Sequence, residues 1–82
     1  MIILEVKPKE DYTLQIVSDD GRTGIFDVKP YLEFEAFTDL KNKEAFSKII
    51  NGGYFIEWDC GADLSADTIE ARLRPSISIE GA

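Results

Sequence analysis

The chain has 82 residues, of which 44% are hydrophobic and 11% aromatic, and this composition indicates one small folded domain rather than a disordered segment. Sixteen acidic residues against nine basic ones give a formal net charge of −7, so we expect no direct nucleic-acid binding. No segment reaches the roughly 20 apolar residues of a membrane-spanning helix, and no signal peptide is predicted, so we expect no membrane partner.

Residues 1–30 show the alternation of apolar and polar side chains that is typical of half-buried strands. The pair Asp20-Gly21 predicts a tight two-residue hairpin loop between the second and third strands, because both residues tolerate positive φ angles. We therefore predict a three-stranded antiparallel meander. Its core-facing side chains are predicted to be Leu4, Val6, Leu14, Ile16, Phe26 and Val28.

Residues 31–47 follow Pro30, which favours the start of a helix. This region predicts a short helical or irregular segment. Within it, "NKEAF" predicts one helical turn, because Asn42 is a residue type that caps helix N-termini.

Residues 47–58 predict a second β-hairpin. The turn-forming residues 51–53 (Asn-Gly-Gly) separate two runs that are rich in β-branched and aromatic side chains. A helix is the alternative, because Phe46, Ile49 and Ile50 recur at spacings of three and four.

Residues 63–74 predict a C-terminal helix with Ile69 and Leu73 on its buried face. Asp63 or Ser65 would cap this helix by accepting backbone N–H bonds. Together the elements predict one α+β domain over residues 1–82: a three-stranded meander, a short helical segment, a second hairpin and a C-terminal helix.

The tail, residues 75–82, alternates weakly and predicts a short edge strand or a loose end. A three-stranded meander leaves open edges. Residues 76–79 could cap such an edge or pair with a second copy, so a homo-oligomer is one expectation.

Functional groups are dense between residues 54 and 73. The economical interpretation is structural, with Gly61 permitting a turn and Trp58 packing in the core. The functional interpretation is a partner-binding loop, provided that the loop is exposed. Its candidate residues are Trp58, Asp59, Cys60, Gly61 and Asp63.

A small-ligand or divalent-metal site using Asp59, Asp63 and Asp67 is the competing hypothesis. These residues match some positions of a calcium loop, but Gly61 and Leu64 stand where that loop needs an oxygen ligand and a glycine. We therefore expect no metal or cofactor.

Catalysis is not expected from this sequence. The chain has no histidine, the usual base at neutral pH, and no nucleophile–base pair stands out. Cys60 is the only cysteine, which excludes an intrachain disulfide framework and fits a reducing, cytoplasmic location. We predict no enzyme activity and assign no catalytic residue.

A set of residues recurs along the chain in a recognisable order: Asp20, Gly21, Asp27, Trp58, Gly61, Asp63 and Leu64. This ordered set resembles the small bacterial family catalogued as domain of unknown function 2442. The resemblance covers nearly the whole chain. The chain departs from the pattern at Asp59-Cys60 and Ser65-Ala66, where such sequences often carry proline or asparagine.

The resemblance implies an α+β domain whose biochemical activity is unestablished, with some relatives placed in a proposed toxin–antitoxin relationship. The resulting hypothesis is a non-enzymatic protein-interaction module, the acidic neutralising member of a two-component pair. Its expected partner is a protein, and the net charge favours a basic one.

Overall fold

The computed structural model describes residues 1–75 and confirms the α+β class. The strands and α-helices in chain order are β1 (Ile3–Pro8), β2 (Thr13–Ser18), β3 (Thr23–Asp27), α1 (Lys43–Ser47), β4 (Ile49–Asn51), β5 (Phe55–Trp58), β6 (Asp63–Ser65), α2 (Ala66–Arg72) and β7 (Arg74–Pro75). A four-stranded sheet has the order β1-β2-β3-β7, and a three-stranded sheet has the order β4-β5-β6.

The predicted meander forms β1, β2 and β3, which pair antiparallel in sequence order. The short strand β7 then pairs antiparallel with the outer edge of β3. The predicted edge strand of the tail therefore begins at Arg74. Its proposed continuation over residues 76–79 lies outside the described residues.

One predicted core residue of β1 is wrong. Leu4 is 61% exposed, whereas its neighbour Ile3 is buried. The pairing of β1 with β2 shifts register between Ile3 and Glu5, and this bulge turns Leu4 out of the core. Of the remaining predicted core residues, Val6 is half-buried, and Leu14, Ile16, Phe26 and Val28 are fully buried.

The loop between β2 and β3 has three residues rather than the predicted two. The Ser18 N–H donates to the Arg22 carbonyl at 2.9 Å, which leaves residues 19–21 as the loop. Gly21 has φ of +88°, as expected for the left-handed residue that ends a three-residue hairpin loop. The glycine signal was correct, and only the length of the loop differs from the prediction.

The helical segment after β3 consists of two 3₁₀ helices, Lys29–Glu33 and Glu35–Lys41, followed by α1. Pro30 stands in the first turn of the first 3₁₀ helix. The predicted cap of α1 is also present, because the Asn42 side chain accepts from the backbone N–H groups of Glu44 and Ala45.

The second hairpin forms as predicted, with β4 pairing antiparallel to β5. The predicted helix over residues 63–74 is too long at both ends. Residues 63–65 form β6 and pair with β5, and Arg74 belongs to β7, so the helix spans Ala66–Arg72. Ser65 ends β6 and caps α2, its hydroxyl accepting from the Thr68 N–H at 3.2 Å. Three residues are too few to show strand periodicity in the sequence.

Two hydrogen bonds join the sheets at the start of β1. The Ile3 N–H donates to the Gly53 carbonyl at 2.8 Å, and the Asn51 amide donates to the Ile3 carbonyl at 2.9 Å. A single buried cluster then includes side chains from both sheets and from the helices. No helix among residues 1–75 is long and apolar enough to cross a membrane.

Candidate functional site

The predicted partner-binding loop is a tight turn, residues 59–61, between β5 and β6. The Trp58 N–H donates to the Ala62 carbonyl at 2.8 Å, and the Gly61 N–H donates to the Trp58 carbonyl at 2.9 Å. Gly61 has φ of +99°, so this Asp-Cys-Gly turn repeats the geometry of the Asp-Asp-Gly turn at residues 19–21. The Asp59 and Cys60 side chains are exposed at its tip.

Trp58 does not belong to this surface. It is 1% exposed, stacks on Phe46 at 5.9 Å between ring centroids, and meets Phe37 edge-on at 6.2 Å. Its indole N–H donates to the Phe46 carbonyl at 2.9 Å. The core interpretation of Trp58 is therefore correct, and only Asp59, Cys60, Gly61 and Asp63 of the candidate residues reach solvent.

Asp63 lies on the solvent-facing side of the β4-β5-β6 sheet, which we call the outer face. The register pairs Ile50 with Glu57 and Glu57 with Asp63, so these three side chains form one row across the strands. Phe55 is paired with Ser65 in the adjacent row. The outer face is therefore defined by Ile50, Phe55, Glu57, Asp63 and Ser65.

The outer face exposes two large apolar side chains in neighbouring rows, with Phe55 near residues 51–53 and Ile50 beside Glu57. Ile50 is 57% exposed and Phe55 is 43% exposed. The Phe55 ring lies over Gly52, where a Cβ atom would come within 2.4 Å of the ring. Such neighbouring apolar side chains on an uncovered sheet are typical of contact surfaces.

The rest of the row that contains Ile50 is acidic. Glu57 and Asp63 lie directly opposite one another, and like charges at opposed positions destabilise a sheet. Among residues 1–75 neither carboxylate is within ion-pair distance of a cation. The row therefore presents two opposed carboxylates for which residues 1–75 supply no compensating cation.

Beyond this row, the 59–61 turn borders an open depression of about 340 Å³, which we call the acidic groove. The Asp59 N–H donates to the Lys48 carbonyl at 3.1 Å, and this bond holds the turn against the end of α1. Three carboxylates and one lysine line the groove. Its lining residues are Asp39, Asn42, Glu44, Ala45, Lys48, Asp59 and Cys60.

Sequence reasoning missed most of this surface. The contributions of Asp39 and Glu44 to the groove depend on the packing of the second 3₁₀ helix and α1 against the turn. Ile50 and Phe55 were recognised only as strand residues. The one available signal was period-two alternation in β5, where exposed Phe55 stands two residues from Glu57 and alternates with buried Ile56 and Trp58.

The metal hypothesis receives no geometric support. Asp59 is in the turn, Asp63 is on the outer face, and Asp67 is in the first turn of α2. In the described part of the chain, no three histidine, cysteine, aspartate or glutamate side chains are grouped so that they could hold a metal ion.

A family model described as "Protein of unknown function (DUF2442)" matches residues 3–75. The chain belongs to this family. No curated protein and no solved structure matches the chain significantly. The description of this family names no function. The residues on the surface of the chain are therefore the remaining source of functional information.

Proposed function

We propose that this chain is a non-enzymatic protein-binding module for a basic partner, acting in the cytoplasm, where its exposed Cys60 thiol stays reduced. The observation that carries the proposal is the row Ile50–Glu57–Asp63 on the outer face. It combines an exposed apolar side chain with two opposed carboxylates that have no cation beside them in residues 1–75.

Binding would bring a cation to this row. A lysine or arginine of the partner, placed between Glu57 and Asp63, converts a repulsive pair into two attractive ones. The net charge of −7 attracts a basic protein over a longer range and raises its association rate, while the close contacts set the affinity.

The mechanism would be occlusion. The module covers the working surface of its partner, as a neutralising member of a two-component pair would do. Occlusion requires no reacting group. It requires only that the outer face is complementary to the partner and that the sheet stays folded.

The experiment is a quantitative capture from the native host with wild-type bait and two charge-reversal variants. Asp63→Lys removes the repulsion with Glu57, so we expect an unchanged or slightly raised melting temperature. We also expect at least a tenfold loss of the stoichiometric basic partner. Glu10→Lys makes the same charge change at an exposed position on the β1–β2 connection and serves as the matched control.

The combination of retained stability and lost binding is specific to a binding role. A partner retained by Asp63→Lys, or lost equally with Glu10→Lys, would contradict the proposal. A wild-type bait that captures no saturable protein partner would also contradict it.

A further inference from the structure

The outer face leads along β5 to the acidic groove, because Asp59, two residues after Glu57, lines that groove. The two surfaces differ in chemistry. Phe55 lies at the end near residues 51–53, and the second exposed apolar side chain, Ile50, lies in the next row beside Glu57. Along β5 the outward positions then pass from Phe55 to Glu57, and Asp59 follows in the turn that borders the groove. The surface therefore changes from apolar to acidic along one strand.

From this gradient we infer that the partner presents a single extended segment, with apolar side chains at one end and lysine or arginine at the other. This inference rests on the proposed function and specifies the partner's chemistry. The apolar end of the partner's segment contacts Ile50 and Phe55. The basic end of the segment contacts Glu57 and Asp63, and it enters the acidic groove beside Asp39 and Glu44.

The dimensions support a surface that includes the groove. Three strands about 4.8 Å apart, with about 3.4 Å per residue, give the outer face a flat area on the order of 200 Å². A stable protein interface covers about 800 Å² on each partner. The outer face alone is too small, so the partner must also contact neighbouring surface, of which the groove provides a part.

Charge argues against a second copy of this chain as the occupant. A two-fold contact through the outer face would bring Glu57 and Asp63 close to the same carboxylates of the other copy. Each copy would also carry a net charge of −7. A segment ending in lysine or arginine meets the same surface with opposite charge.

The two ends of the surface predict different salt responses. Removing an apolar contact weakens binding by a similar factor at every salt concentration. Removing a carboxylate weakens binding most at low salt, because added ions screen exposed charges over about 8–10 Å near physiological ionic strength. The apolar and acidic ends can therefore be tested separately on one captured partner.

The test uses full-length variants and the partner captured by wild-type bait. We expect Phe55→Ser and Ile50→Ser each to weaken binding at least tenfold with unchanged salt dependence. Asp39→Lys in the groove is expected to weaken binding several-fold and to reduce its salt dependence. Phe34→Ser is the matched control, since Phe34 is 59% exposed on the segment between the two 3₁₀ helices, and it should bind as wild type.

Failure of this inference can be told apart from failure of the proposed function. Suppose that Asp63→Lys loses binding but Phe55→Ser and Ile50→Ser both retain it. The inferred apolar contact is then wrong, while the proposed binding function stands. If Asp39→Lys binds the partner with wild-type affinity and salt dependence, the inferred contact between the partner and the groove is wrong. Sedimentation that shows Phe55-dependent self-association would assign the surface to a second copy and overturn the inference.

Thermal melts accompany every variant. Ile50 lies on the short edge strand β4 and is more exposed than Phe55, so Ile50→Ser provides a folded reference if Phe55→Ser is destabilised. Amide hydrogen exchange on wild-type bait gives an independent measurement. We expect the partner to protect the amides of β4, β5 and the 59–61 turn, and protection confined to the other sheet would contradict the inference.

Discussion

At the scale of single residues, neighbouring side chains in the sequence have opposite roles. Trp58 is held by two aromatic rings and by the hydrogen bond from its indole N–H to the Phe46 carbonyl. The adjacent Asp59 is exposed beside the acidic groove. Residues 54–73 therefore contribute to both the core and the surface, and adjacent residues differ in which of the two they join.

Replacing Trp58 with phenylalanine tests its core role. The smaller ring leaves a void and removes the indole N–H, so the buried Phe46 carbonyl loses its donor. We expect the free energy of unfolding to fall by about 2–4 kcal/mol. Urea denaturation followed by far-ultraviolet circular dichroism measures this loss.

The control for this prediction is Phe34→Leu, which alters an exposed ring and should change stability by less than about 0.5 kcal/mol. A loss below about 1 kcal/mol for Trp58→Phe would show that the hydrogen bond and the packed ring contribute little.

The residue scale also shows where alternation misleads. The sequence of β1 alternates regularly, and it predicts that Leu4 is buried. A bulge at that point reverses the side-chain direction, so Ile3 is buried instead. A bulge depends on the pairing with β2, which the sequence of β1 alone does not contain.

At the scale of elements, the β5–β6 turn has the same construction as the β2–β3 turn. In each, two residues are followed by a glycine in the left-handed region, and the residues before and after the loop are hydrogen-bonded. The geometry of the 59–61 turn therefore needs no functional explanation. What distinguishes it is its position at the acidic groove.

Gly61→Ala is expected to lower the free energy of unfolding by about 1 kcal/mol, because alanine disfavours a φ of +99°. A Cβ atom at this position meets nothing within 4 Å, so backbone strain is the only cost. Gly21→Ala, with φ of +88° and equally open space, should lose a similar amount.

Chemical denaturation of both variants checks this equality. Gly61→Asn should lose less than Gly61→Ala, since asparagine enters the left-handed region more readily. A neutral Gly61→Ala would mean that the turn adopts a different backbone conformation in solution.

At the scale of the whole molecule, one ion-pair network connects distant parts of the chain. Arg22 contacts both Asp20 and Glu70 at 2.7 Å, and Glu70 also contacts the Met1 ammonium at 3.4 Å. The β2–β3 turn, α2 and the start of the chain are thereby joined. The Ser18 hydroxyl, which donates to Asp20, and the Arg22 backbone N–H lower the pKa of Asp20 to about 2.

This network predicts a pH dependence of stability. Because the folded-state pKa of Asp20 lies below its usual value of 3.8, its ionised form favours folding above that pH. The contribution is lost as the pH falls through about 2. The hydrogen bond from Arg22 and the nearby Met1 ammonium lower the pKa of Glu70 as well, and this acts in the same direction.

We therefore expect wild type to exceed Asp20→Asn in urea midpoint near neutral pH, with the difference shrinking as the pH falls from about 4 to about 2. Glu10→Gln, which removes one exposed carboxylate outside the network, controls for the change in net charge. A difference that stays constant over this range would exclude the ionised Asp20 as its source.

The sequence by itself determined the meander, the second hairpin, the cap of α1 and the family. The meander, the hairpin and the cap follow from patterns within a few residues, namely strand alternation, glycine turns and the Asn42 side chain. Only the tertiary structure decided that Trp58 is buried, that residues 63–65 complete a sheet, and that carboxylates from the second 3₁₀ helix, α1 and the 59–61 turn line one groove. The physical reason is that these features depend on contacts between segments far apart in the chain. Local sequence patterns do not predict such contacts.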